Sequence, residues 1–250
     1  MKKLFFLPLA LYSFLMFGQN VVVVEYRHVE SEHIAEFEAK EIDYWSKVKQ
    51  NGIDEGYMLA SAFFRLIDAG RVEDETMPTH AFVHVYKDFE QLVNSSKMWS
   101  NTEKILGMKQ SLVSTDDIST TMRIQRYKLI DEILPLREFK YAVWNYAKPK
   151  DFNGFVNENL KLWKPYFQKK VGKNGLAGYG ILARVHPQGM EQSSVLTYDH
   201  YTDLASAMQA LSPMDYDQSI ISKSKMSEYD PEGFRYRVLL ELIQLQGSVE

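Results

Sequence analysis

The sequence predicts an α+β protein made of two similar β-α-β-β-α-β units in tandem. Three observations carry this. A helix-like run with Phe37 and Trp45 eight residues apart recurs as Phe155 and Trp163, at an offset of 118. Each run is followed by a glycine (Gly56; Gly175) and then a strand with a central arginine (Arg65 in 61–67; Arg184 in 180–186), at an offset of 119. The same order of elements then stands on both sides of Pro135. The units are expected over 20–134 and 135–250, after a leader at 1–19.

In chain order, the β-branched start of Val21–His28 predicts a strand. Ser31 suits a helix N-cap, and Ile34, Phe37, Ile42, Trp45 and Val48 follow as an apolar stripe ending near Asn51-Gly52. Strands follow at Met58–Asp68 and His80–Lys87, separated by an acidic loop with Pro78. Asp88 caps a second helix, and Thr120–Ile130 is the fourth strand. The second unit repeats the order. Its strands are Phe139–Ala147, Gly178–His186, Ser194–Tyr201 and Gly233–Leu245. Its helices are Lys150–Val171 and Thr202–Leu211, and residues 212–230 form an acidic, irregular insert.

Lys2 and Lys3 precede an apolar run of fourteen residues, Leu4–Phe17, that is too short to span a bilayer and reads as a secretory signal peptide. A secreted or periplasmic protein is expected, with no stable membrane insertion after leader removal. Without the two lysines there are 27 basic and 33 acidic residues, a formal charge of −6. With no basic block, nucleic acid is not an expected partner. The chain has no cysteine, which excludes disulfides, thiolate metal sites and a cysteine nucleophile. At 45% apolar and 13% aromatic residues it can be held by its core alone.

Each β-α-β-β-α-β unit makes a four-stranded antiparallel sheet with helices on one face, the ferredoxin-like arrangement, and leaves the other face to be covered. Two units in one chain can cover each other, sheet to sheet. In element order, the Phe-x7-Trp helix and the arginine-bearing second strand, the chain resembles the dimeric α+β barrel superfamily in its fused, two-repeat form. The resemblance spans nearly the whole mature chain, but no motif assigns a family within it. It implies a pseudo-dimeric barrel and further homo-oligomerisation. It also opens three activities: cofactor-free monooxygenase, haem-degrading enzyme, and chlorite-dismutase-like haem protein.

Strand alternation then selects a cavity. If Ala62, Phe64 and Leu66, and Ala81, Val83 and Val85, face the helices, the space between the sheets is lined by Tyr26, His28, Arg65, His84 and Tyr86 from the first unit. Trp144, Tyr146, Arg184, His186 and Asp199 line it from the second. Aromatic walls with a few polar groups suit a small aromatic or anionic molecule, with Arg65 and Arg184 as anion partners. A buried arginine would equally pair with Asp199 or Glu241 and only fix how the halves dock. The histidines show no metal-binding spacing, so no metal site is expected, and the residues themselves imply no cofactor. Haem enters through the resemblance alone, with His186 or His200 as the iron ligand and Arg184 on the distal side. No hydrolase triad or phosphate loop is present. A purely structural or partner-binding role is the rival reading.

Overall fold

The computed structural model describes residues 20–67, 77–135, 137–212 and 217–247. The expected leader lies outside the described residues. Eight strands run β1 (Val21–His28), β2 (Ala60–Leu66), β3 (His80–Tyr86), β4 (Thr120–Ile133), β5 (Tyr141–Ala147), β6 (Leu176–His186), β7 (Val195–Tyr201) and β8 (Phe234–Gly247). They close into one antiparallel barrel in the order β1-β3-β2-β8-β5-β7-β6-β4. Each repeat contributes four adjacent strands in the ferredoxin-like order. The repeats are stitched by β2–β8 and β4–β6 hydrogen bonding, which leaves no free sheet edge.

Helices cover the outside. In the first repeat, α1 (Ile34–Lys40) continues through a π-helical turn, Glu41–Trp45, into α2 (Ser46–Asp54). After β3 come α3 (Phe89–Asn94), capped by the Asp88 carboxylate, and α4 (Thr102–Leu106). In the second repeat, α5 (Phe152–Glu158) continues through a π turn, Asn159–Trp163, into α6 (Lys164–Gln168). There α7 (Leu204–Leu211) is capped by Asp203. The 212–230 insert holds two single turns, α8 (Gln218–Ile221) and α9 (Met226–Tyr229). Both π turns fall at an offset of 118, so the duplication extends to a rare backbone irregularity.

The strands are buried on both faces. The barrel interior packs Val22, Val24, Tyr26, Phe64, Trp144, Tyr146, Leu182 and Leu196 around one core. The outer face packs against the helices in separate clusters, among them Phe37 with Phe63 and Phe82, and Phe155 with Ile181. This double burial corrects the expected facing of β2, β3 and β7. Ala62, Phe64 and Leu66, and Ala81, Val83 and Val85, point into the barrel. Arg65, His84, Tyr86 and Asp199 lie beneath the helices. With apolar side chains on both sides, alternation alone does not say which side is inside.

Candidate functional site

A cavity of about 670 Å³ occupies one end of the barrel. Its walls are mostly hydrocarbon: Val22, Val24, Phe64, Leu182, Leu196 and Leu242, with Trp144 and Phe139 supplying aromatic faces. Leu134, Arg137 and Glu138, on the β4–β5 connection, line it and are exposed, which puts its mouth there. Trp144 stands edge-on to both Phe64 and Tyr26, at 5.6 and 6.1 Å between ring centres.

One contiguous polar edge interrupts this wall. The Tyr198 hydroxyl donates to the Glu132 carboxylate at 2.8 Å. Tyr198 lies 5.0 Å from the His200 ring, which stacks flat on Phe139 at 3.8 Å. The His200 Nδ1 is buried without a hydrogen-bond partner. Burial holds the His200 imidazole down at about 3, so it is neutral at ordinary pH. Burial lifts the Glu132 carboxyl, opposed by the hydrogen bond from Tyr198, and lifts the Tyr198 phenol well above its usual range, so that group stays a donor. The arrangement offers a neutral acceptor, a phenol and a carboxyl of weakened acidity in a mostly apolar cavity. Tyr198 covers Gly180, where an added Cβ would lie 2.1 Å from the ring, so only glycine admits the tyrosine in this position.

Of the ten candidate residues, Trp144 lines this cavity. Tyr26, Tyr146 and Arg184 face the interior at the opposite end. There Tyr26 and Tyr146 share a hydroxyl–hydroxyl contact, Tyr146 stacks on Tyr236 at 4.3 Å, and the Arg184 guanidinium stands 5.1 Å from the Tyr127 ring. Arg184 Nε donates to the Ser193 carbonyl, and its Nη1 is buried without a partner. His28 ends β1 and its Nδ1 donates to the Met77 carbonyl at 2.7 Å. His186 is exposed beside Arg126 at the end of β6.

The other four lie outside the barrel. Arg65 forms a bidentate pair with Glu38 of α1, and its Nη1 is 3.9 Å from Glu241. His84 sits 3.1 Å from the Ser61 hydroxyl, and burial, with the nearby Lys49 charge, lowers it to about 3. Tyr86 packs with Val21, Val48 and Met98. Asp199 accepts from Asn145 at 3.0 Å. The physical reason for Arg65 is register. Structurally, Phe63 corresponds to Ile181 and Phe64 to Leu182, the offset of 118 that the tryptophans show. The offset of 119, which matched Arg65 to Arg184, slips by one residue and turns the strand over. Glu132, Tyr198 and His200 were missed as a group. The signal for Tyr198 and His200 was cross-strand: Gly180 pairs with Tyr198 and Leu182 with Leu196, which places β7's even-numbered residues with Leu182 inside.

No protein-family model matches the chain, and no curated protein matches it. Solved structures do. A putative monooxygenase from Fusobacterium nucleatum superposes with a TM-score of 0.62 at 13% identity, covering 93% of this chain and 96% of that one. An anthrone oxidase-like protein gives 0.56 at 13% identity, over 93% and 94%. A putative chlorite dismutase gives 0.52 at 5% identity, over 90% and 95%. The chain shares the fold of these structures, an α+β barrel closed by eight antiparallel strands, as the resemblance to dimeric α+β barrel proteins implies. Identities this low establish the architecture alone.

The cavity does not fit haem. Haem brings two carboxylates and needs an axial nitrogen. The neutral His200 on the lining could offer the nitrogen, but nothing there suits the carboxylates: among the described residues the one arginine or lysine on the lining is Arg137, which donates to the Gly172 carbonyl and stands among Glu132 and Glu138. His186 and Arg184 lie at the other end, and the expected shared face is corrected: a bulge in β6 pairs Arg184 with the inward-facing Tyr127 and His186 with Arg126 on the outer face. Among the described residues no group of three or more histidine, aspartate or glutamate side chains could hold a metal ion, and no helix is long and apolar enough to cross a membrane.

Proposed function

We propose that the barrel cavity binds a small, planar, largely apolar molecule carrying one hydroxyl or carbonyl group. The observation that carries this is that, inside the exposed mouth with Arg137 and Glu138, polarity gathers at the Glu132–Tyr198–His200 edge of a mostly hydrocarbon cavity of about 670 Å³. Apolar walls supply affinity, and the few placed polar groups fix orientation. The neutral imidazole accepts from a hydroxyl, whereas Glu132 disfavours a bare anion. Neither Arg65 nor Arg184 lines the cavity, so the aromatic ligand is favoured over the anionic one. The lysine-led apolar leader supports action outside the cytoplasm, which fractionation and N-terminal sequencing of the mature chain test.

The test is a titration with 2-naphthol, read by quenching of Trp144. Saturable quenching is expected, absent in Trp144→Phe and at least tenfold weaker in Ala62→Trp, which fills the cavity. Unsaturable quenching that persists in Ala62→Trp sinks the proposal.

A second reading is cofactor-free oxidation of such a ligand. It is favoured by the neighbours described as a putative monooxygenase and as anthrone oxidase-like. Anthrone, its enol hydroxyl donating to the neutral His200 imidazole, would be oxidised by dioxygen at its CH2 carbon, where two C–H bonds break, one oxygen atom becomes the new carbonyl and the other leaves as water. It predicts oxygen uptake with anthrone, and a fall in kcat with little change in KM in His200→Ala. Anthrone that binds without consuming oxygen leaves the protein a binder.

A further inference from the structure

A second cavity, of about 240 Å³, lies on the other side of the same sheet, between β5, β6 and β7 and the α5–π–α6 helix. Trp163, Phe167, Tyr179 and Phe234 wall it, with Asp199 on its sheet side. Asp199 is buried, accepts one hydrogen bond from Asn145, and has no ion pair among the described residues. Arg237 also lines the space, but its Nε donates to the Asn145 Oδ1 at 2.6 Å and its Nη2 to the Ala210 carbonyl at 2.8 Å. Asn145 thus stands between the guanidinium and the carboxylate. Asp230 supplies a second carboxyl beside the exposed Ser227 and Gly233, where access is open.

The first repeat shows what the corresponding space holds there. At the offset of 118, Asn159 corresponds to Glu41 and Phe167 to Lys49; in β7, Asp199 corresponds to His84. The Lys49 ammonium is buried, 2.8 Å from the Glu41 carboxylate and 4.4 Å from the centre of the Phe82 ring. The first repeat therefore fills this position with its own ammonium, held by a carboxylate and an aromatic face. The second repeat has phenylalanine and asparagine in place of the lysine and its glutamate. It has the same π turn, places Phe167, Tyr179, Phe234 and the buried Asp199 around the space, and leaves the volume open.

We propose that the second-repeat cavity binds a small organic cation, a primary or methylated ammonium, with its charge towards Asp199 and its alkyl groups against the aromatic walls. Aromatic faces attract ammonium groups, and more strongly where water is excluded. Burial lifts the Asp199 carboxyl to about 6, outweighing the Asn145 hydrogen bond and the charge of Arg237 beyond it. The cavity is smaller than those that hold drug-sized ligands, which restricts the occupant to a compact amine. This site shares no lining residue with the barrel cavity and does not depend on that reading.

The test compares tert-butylammonium with its neutral counterpart, tert-butanol, at pH 8 on the whole protein, read by the NMR shift of the Trp163 indole N–H. Saturable binding of the cation in the millimolar range or tighter is expected, at least tenfold stronger than the alcohol. Asp199→Asn should weaken it tenfold or more. The double variant Asn159→Glu/Phe167→Lys rebuilds the first-repeat pair and should abolish it while the protein stays folded. Ala62→Trp, which fills only the barrel cavity, should leave it unchanged. No saturable shift in the wild type, or equal binding of cation and alcohol, overturns the proposal. So does undiminished binding in a folded Asp199→Asn. Should that variant fail to fold, the wild-type preference for cation over alcohol decides the matter alone.

Discussion

At the residue scale, Arg65 is a structural anchor whose role depends on Glu38. The Glu38 carboxylate receives both arms of Arg65 and stands 3.0 Å from the His80 Nε2. Burial opposes its ionisation, yet the bonds from His80 and Arg65 outweigh that and hold it at about 2. A carboxyl held below its ordinary 4.5 stabilises the fold above that pH, and loses the contribution as pH falls towards 2. Glu38→Gln should therefore cost about 2 kcal/mol at pH 7. The gap between wild type and variant in urea melts should narrow steadily below pH 4.5. A gap that is constant down to pH 2.5 would show that the cost is packing and not charge. This network also shows what the sequence conceals. That Arg65 would pair with a carboxylate was legible, and Glu241 is indeed near it. That its main partner is on α1 was not, because the strand's facing rests on a one-residue register that equal burial of both sides leaves undecided. Tyr26, Trp144 and Tyr146 do face the barrel interior, the side on which pairing the first strands of the two repeats by offset puts them.

At the element scale, the two composite helices differ in what they bury, and this sets their tolerance to change. Lys49 and Glu41 have side chains only 5% and 8% exposed. Removing one partner of a buried pair leaves an uncompensated charge, so Lys49→Met should cost about 3–5 kcal/mol. The double variant Glu41→Leu/Lys49→Met should recover most of the loss, because two apolar side chains need no partner. Chemical denaturation of the single and double variants measures both. A double variant as unstable as the single one would mean that packing, not the stranded carboxylate, sets the cost. The order of elements and most of their bounds were legible from apolar period and capping signals. Asp88 and Asp203 cap as their positions suggest. The π turns were not legible, since one extra residue per turn leaves the apolar stripe only slightly displaced.

At the scale of the whole molecule, barrel closure makes each repeat depend on the other. The first repeat's sheet runs β4-β1-β3-β2, so its edges are β4 and β2, and each is paired along most of its length with a strand of the second repeat, β6 and β8. Cut off at residue 135, the first half would expose two unpaired edges and the apolar face that carries Phe64, Val22 and Val24. Edges of this kind recruit another chain. The pseudo-twofold relation supplies the geometry: the partner of β2 is the second repeat's fourth strand, and the partner of β4 is its second. Residues 20–135 expressed alone should therefore form a homodimer, each β2 pairing with the other copy's β4, when the mass is measured by light scattering after gel filtration. The Tyr198–Glu132 edge would be absent from this dimer, because Tyr198 belongs to the missing half, so the dimer should not bind 2-naphthol as the whole chain does. Restoring the second half as a separate chain should rebuild the heterologous barrel and the binding with it. A half that remains a folded monomer would show that the edges are not what hold the repeats together. The tandem fusion then has a physical consequence: β1 and β5 run the same way, so the pseudo-twofold lies along the barrel axis and a symmetric dimer would line both sides of the cavity alike, whereas here Val83 and Val85 of the first repeat take the places that Tyr198 and His200 take in the second.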